Sequence, residues 1–183
     1  MDSGAELPPA RRSRAFGRVN QTIVNVQAIL DVLAKYRVGF VIIGGVAAGL
    51  LGSSSLTGDL DICYERSREN MRALAGALVE LGATLRGVEP GLPFQLDAKT
   101  LELGDSFTFQ TMAGPLDILG TPSGTGGFAD LIRKAEDLQL GEVSAKLASL
   151  DDLIRMKRAA GRPKDRIELE ILGALRDEID REN

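Results

Sequence analysis

Histidine and tryptophan are absent from this chain of 183 residues, and cysteine occurs once, at Cys63. Without histidine the commonest metal ligand and the commonest general base are both missing. One thiol excludes any internal disulfide, and the two shortages together remove zinc sites and Ser–His or Cys–His nucleophiles from consideration. A single cysteine fits a reducing cytoplasm. No apolar run approaches the roughly 20 residues that cross a bilayer, so no membrane partner is expected. Aromatics make up only 4% of the chain, too few to interleave with basic residues over a broad nucleic-acid surface. What is left for chemistry is carboxylates, hydroxyls and cations, a set that suits hard metals such as Mg²⁺ or Mn²⁺.

What is present belongs to a globular protein. A composition of 44% hydrophobic and 26% charged residues excludes a disordered or collagen-like chain, and the length suits one domain. Residues 1–18 carry Pro8-Pro9 and four arginines but no apolar stretch, so a disordered tail is expected there rather than a signal peptide. The formal charge of −4 conceals a basic island: six of the twelve residues from Arg155 to Arg166 are Lys or Arg, against one acid, Asp165. Such a run is either a solvated helix surface or a phosphate contact.

Apolar residues at Ile23, Val24, Val26, Ile29, Leu30, Leu33 and Ala34 recur at helical spacing and predict a first helix ending near Tyr36. The period then changes. Gly39 to Ile43 is a short β-branched run expected to be a buried strand, broken by Gly44-Gly45 before the small residues Val46 to Leu51. Ser67 caps a helix through Leu81. Further strands are predicted near 83–86, 106–111, 116–119 and 142–148, with a helix over 128–135. Gly114-Pro115 and Gly141 read as hairpin turns, so the sheet should be mixed or antiparallel and the class α+β. Ser149 and Asp152 form a capping pair opening a helix to about Ala160, and Pro163 begins a last one.

The informative stretch is Gly44-Gly45, thirteen residues, then Asp59-Leu60-Asp61. Side chains two apart on a strand share a face about 6.5–7 Å apart, so two carboxylates there can grip a cation from one side. Read alone, the pair is either a metal site or a solvated edge. Leu116-Asp117-Ile118-Leu119 is another apolar strand with one acid; on a neighbouring strand Asp117 would complete a three-carboxylate cluster, and otherwise it caps a turn. Such a cluster suits phosphoryl or nucleotidyl transfer, with a carboxylate taking the acceptor proton in the role usually given to histidine. Gly44-Gly45, between a strand and a helix, either lets the backbone approach a phosphate or makes a tight turn.

Taken in order, the strand, Gly44-Gly45, Thr57-Gly58-Asp59-Leu60-Asp61-Ile62 and Leu116-Asp117-Ile118 resemble the polymerase-β-type nucleotidyltransferase superfamily. Asp152 to Ala159, followed by Arg162-Pro163-Lys164-Asp165, is similar to the downstream motifs of small bacterial members, the abortive-infection (AbiEii-like) toxins of toxin–antitoxin pairs among them. The resemblance spans residues 38–172 and implies one nucleotidyltransferase-like domain over 19–183, ending in a helical segment over 149–183. It implies that Asp59, Asp61 and Asp117 bind the metals, with Asp117 also the base. It further implies that Gly44, Gly45 and Thr57 line the nucleotide site, that Lys157 contacts phosphate, and that Asp165 orients the basic element. The implied substrate is an NTP with Mg²⁺ or Mn²⁺, and the implied acceptor a hydroxyl of tRNA, a protein or a small molecule, with a cognate toxin or antitoxin as partner. Read from the residues alone, Lys157 and Asp165 are equally charges placed to suit helix ends. Two positions depart from the superfamily pattern: Gly45 stands where many members have Ser, and Ser55 where related sequences often have Arg. A catalytically inactive nucleotide-binding or antitoxin-like module is the alternative expectation. Sugar-nucleotide glycosyltransferases fit less well, because they place such a motif after a longer nucleotide-binding sheet than the 58 residues available here.

Overall fold

The computed structural model describes residues 24–54, 57–88 and 94–182. The expected N-terminal tail, Ser55 and most of the Gly87–Pro93 loop lie outside them. The elements run in the order α1 (Val26–Lys35), β1 (Phe40–Ile43), α2 (Gly44–Leu50), β2 (Leu60–Tyr64), α3 (Arg68–Glu80), β3 (Thr84–Leu85), α4 (Ala98–Leu103), β4 (Ser106–Thr111), β5 (Gly114–Leu119), α5 (Phe128–Leu131), β6 (Glu136–Leu140), β7 (Val143–Leu147), α6 (Leu150–Ala160) and α7 (Pro163–Glu182). The class is α+β, as the hairpin signals imply.

The seven strands form one sheet in the order β3-β4-β5-β2-β1-β7-β6. It is mixed: β1 pairs antiparallel with β2, while β2 with β5 and β1 with β7 are parallel. In β5 the residues Leu116 and Ile118 are buried while Asp117 between them is only half-buried; β2 repeats the pattern with Leu60 and Ile62 around Asp61. That alternation places the apolar set in the core with Leu30, Leu33, Leu74 and Leu78, and leaves the acids on the opposite face. Each buried Leu or Ile contributes roughly 1.5–3 kcal/mol, so the core holds the register.

The caps read from the sequence are present: Ser67 Oγ accepts from Asn70 N, and Ser149 Oγ from Asp152 N. Three expectations need correction. The helix predicted over 128–135 stops at Leu131, because Glu136–Leu140 pairs with β7 as an edge strand. Gly114-Pro115 is not the hairpin turn; Met112 and Ala113 turn, and Gly114 opens β5 with φ of +112°. Pro115 is tolerated because the pairing with β2 starts only at Leu116. The third strand is two residues long, not four. No helix among the described residues is long and apolar enough to cross a membrane.

Candidate active site

Asp59 immediately precedes β2 and Asp61 lies within it, while Asp117 of β5 is the register partner of Asp61. One carboxylate oxygen from each of the three lies within 4.8 Å of the others. The Thr57 hydroxyl donates to Asp59 Oδ1 at 2.7 Å and so orients the first acid. Burial pushes the Asp117 carboxyl above its usual value; the Arg86 guanidinium pulls it back down, and the neighbouring Asp59 charge adds to the rise.

The two glycines close the wall beside these acids. Gly44 has φ of +69°, and a Cβ there would collide with the Asp61 carboxylate. At Gly45 an added Cβ would lie 2.6 Å from Thr57 Cβ. The missing hydroxyl at this position therefore has a steric reason: Thr57 already fills the space.

Lys157, in the last turn of α6, pairs with Glu168 and lies 3.5 Å from Asp165 Oδ1. Asp165 is only 2% exposed, and its other oxygen accepts from the Arg162 backbone N–H at 2.9 Å, closing the turn into α7. A buried carboxylate held in this way needs a cation beside it, and Lys157 supplies one. All eight residues singled out in the sequence line the same cleft, of about 410 Å³, a size in the range of small-molecule sites. The structure thus brings them together in space.

Two charged residues at this site escape a reading of the sequence. Arg86, just beyond β3, pairs with Asp117 and reaches within 4.0 Å of Asp59 Oδ2. An arginine at the end of a two-residue edge strand carries no periodic signal. Glu168 is three residues after Asp165 on α7, a helical spacing that could have found it.

The basic island divides between side chains held in internal ion pairs and side chains on the surface. Arg155 bridges Asp130 and Asp152 at 2.8 Å each, Lys157 is held as above, and Arg162 Nε lies 3.9 Å from Asp165. The hydrogen bond from the Gly126 N–H, with those from Arg133 and Arg155, brings the Asp130 carboxyl down to about 2. Arg158, Arg162 and Arg166 are exposed.

No protein-family model matches the chain, and no curated protein matches it in sequence. Among solved structures it is similar to the lincosamide antibiotic adenylyltransferase LnuA in its lincomycin-bound form, with 14% identity, a TM-score of 0.55, and coverage of 83% of this chain and 98% of that one. It is also aligned with TM1012 of Thermotoga maritima, described as a candidate nucleotidyltransferase, at 14% identity and a TM-score of 0.49, over 85% of this chain and 90% of that one. The likeness to LnuA over nearly its whole length shows that this chain has a nucleotidyltransferase fold.

Proposed function

We propose that this protein is a divalent-cation-dependent nucleotidyltransferase that moves a nucleoside monophosphate from an NTP to a hydroxyl of a small-molecule acceptor. The observation that carries the reading is the convergence of Asp59, Asp61 and Asp117, each with an oxygen within 4.8 Å of the others, in a cleft that also holds Lys157. The donor set suits Mg²⁺ or Mn²⁺: all three ligands are hard carboxylate oxygens, and a cationic side chain, Arg86, is already drawn onto them. When bound, the ion neutralises triphosphate charge and stabilises the attacking and leaving oxygens.

The chain's own residues supply the remainder. Thr57 holds the Asp59 carboxylate in place, and the missing side chains at Gly44 and Gly45 leave backbone against the cleft where a triphosphate can approach. Lys157, steadied by Asp165 and Glu168, presents a compact positive charge to the phosphates. Asp117, with its carboxyl raised by burial, accepts the proton of the acceptor hydroxyl. The hydroxyl oxygen bonds to the α-phosphorus, the bond from that phosphorus to the bridging oxygen of the β-phosphate breaks, and pyrophosphate leaves.

A small acceptor is favoured over RNA because Arg155 and Lys157 are engaged in ion pairs within the fold. A role in a toxin–antitoxin pair through tRNA would rest, among the described residues of the island, on the exposed Arg158, Arg162 and Arg166. LnuA, with lincomycin bound, makes a hydroxylated small molecule the first class of acceptor to test. A second reading, a module that binds nucleotide without transferring it, draws on Arg86 sitting directly on Asp117. Incubation with each α-labelled NTP, Mg²⁺ and either a panel of hydroxylated small molecules or total RNA separates these. Label on a small molecule with pyrophosphate release supports the proposal. Label on RNA overturns the choice of acceptor, and thermal stabilisation by an NTP without any transfer favours the binding module.

A further inference from the structure

Arg86 is delivered to the acidic cluster by the register of the sheet. Its backbone N–H donates to Thr108 O at 2.9 Å, extending the ladder of β3 and β4 by one residue. Thr108 in turn pairs with Asp117, and Asp117 with Asp61. Residues paired across neighbouring strands project from the same face, so Arg86, Thr108, Asp117 and Asp61 form one row. The guanidinium meets Asp117 Oδ1 and stands 4.0 Å from Asp59 Oδ2, in the space between two of the three acids. Its Nε is buried without a hydrogen-bond partner. Attraction by the carboxylates, rather than a full set of hydrogen bonds, holds the side chain there.

We propose that Arg86 is a tethered counter-cation that competes with the divalent ion for the Asp117 side of the cluster, so that metal loading displaces it. The inference rests on the reading that the three acids hold a divalent cation. A guanidinium is never deprotonated in a protein, so it cannot make room by losing its charge. A dication brought to the same oxygens is repelled until the side chain swings away. In the absence of metal, Arg86 offsets the mutual repulsion of Asp59, Asp61 and Asp117. With metal bound, it becomes the obstacle.

The test uses the full chain and Mn²⁺ alone, with affinity measured by electron paramagnetic resonance and melting temperature measured with and without the ion. Arg86→Gln should bind Mn²⁺ about tenfold more tightly or better, and Arg86→Lys, which keeps the charge, should stay near the unsubstituted protein. Without metal, Arg86→Gln should melt below the unsubstituted protein; at saturating Mn²⁺ the order should close or reverse. A purely structural arginine would lower the melting temperature equally in both conditions, and that result overturns the proposal. Equal or weaker Mn²⁺ binding by Arg86→Gln, with binding by the unsubstituted protein intact, also overturns it while leaving the metal reading standing. Failure of the unsubstituted protein and both variants to bind Mn²⁺ overturns the metal reading and this inference together.

Discussion

Asp117 sits directly beside Asp61 in the parallel pairing of β5 with β2, and the rows on either side, Leu116 beside Leu60 and Ile118 beside Ile62, are fully buried. A slip of one residue in either strand would turn its acid into the core and its two flanking apolar side chains out of it. The packing that stabilises the sheet therefore also keeps two like charges on one face. The Arg86 guanidinium beside Asp117 offsets part of their repulsion.

Asp61→Asn should remove one charge from that crowded cluster without changing its shape. We expect the metal-free variant to stay folded and to melt about 2–4 °C higher, corresponding to ~1 kcal/mol of relieved repulsion. Transfer should fall by about 10²–10³-fold or more. Differential scanning calorimetry and a pyrophosphate-release assay read the two effects; an unfolded variant, or an active one, contradicts the assignment.

Lys157→Ala should raise KM for the NTP by about tenfold or more while changing kcat less, if, as proposed, the lysine meets bound phosphate and not the reacting hydroxyl. Its removal also leaves the buried Asp165 with one neighbour fewer, so we expect a stability loss of about 1–2 kcal/mol. Steady-state kinetics beside urea unfolding distinguish these effects. Unchanged kinetics would take Lys157 out of the site.

Gly45→Ser, which introduces the residue common in the superfamily that the sequence resembles, should weaken rather than improve the proposed transfer. The new Cβ would press on Thr57 and disturb its 2.7 Å bond to Asp59. Trimming the neighbour in a Gly45→Ser, Thr57→Ala double variant should recover part of the lost stability, giving a non-additive cycle in thermal melts. Strict additivity would mean that the two positions do not share that space.

Asp130 gives a pH dependence remote from the cleft. Its carboxyl falls to about 2 in the folded protein, below the ordinary value of 3.8. A depressed carboxylate stabilises the fold above the unfolded value and loses that contribution as pH falls from about 4 through about 2. Melting curves between pH 6 and pH 2 should therefore show a shallower acid limb for Asp130→Asn than for the unsubstituted protein. Parallel limbs would contradict the assignment of Arg133, Arg155 and the Gly126 N–H as partners that matter.

The parts of this structure that were legible in the sequence are those where alternation or capping writes a local signal. Leu60-Asp61-Ile62 and Leu116-Asp117-Ile118 announce half-buried strands with one polar face, and Ser67 and Ser149 announce helix starts. Glu136–Leu140 was not legible, because an edge strand that opens with two acids shows only Leu138 and Leu140 as apolar positions, too few to establish an alternation. The six-residue α4 is too short to establish a period. The parallel pairing of β2 with β5 and the position of Arg86 depend on strand order, which no local pattern encodes. Eight of the residues lining the cleft were singled out in the sequence, whereas the arginine that pairs with one of them required the fold.

Anomalous diffraction from a crystal grown with Mn²⁺ tests the central claim most directly. A manganese peak touching carboxylate oxygens of Asp59, Asp61 and Asp117 at roughly 2.0–2.3 Å is expected. No peak in the cleft, or a peak held by Asp59 and Asp61 while Asp117 remains with Arg86, would contradict it.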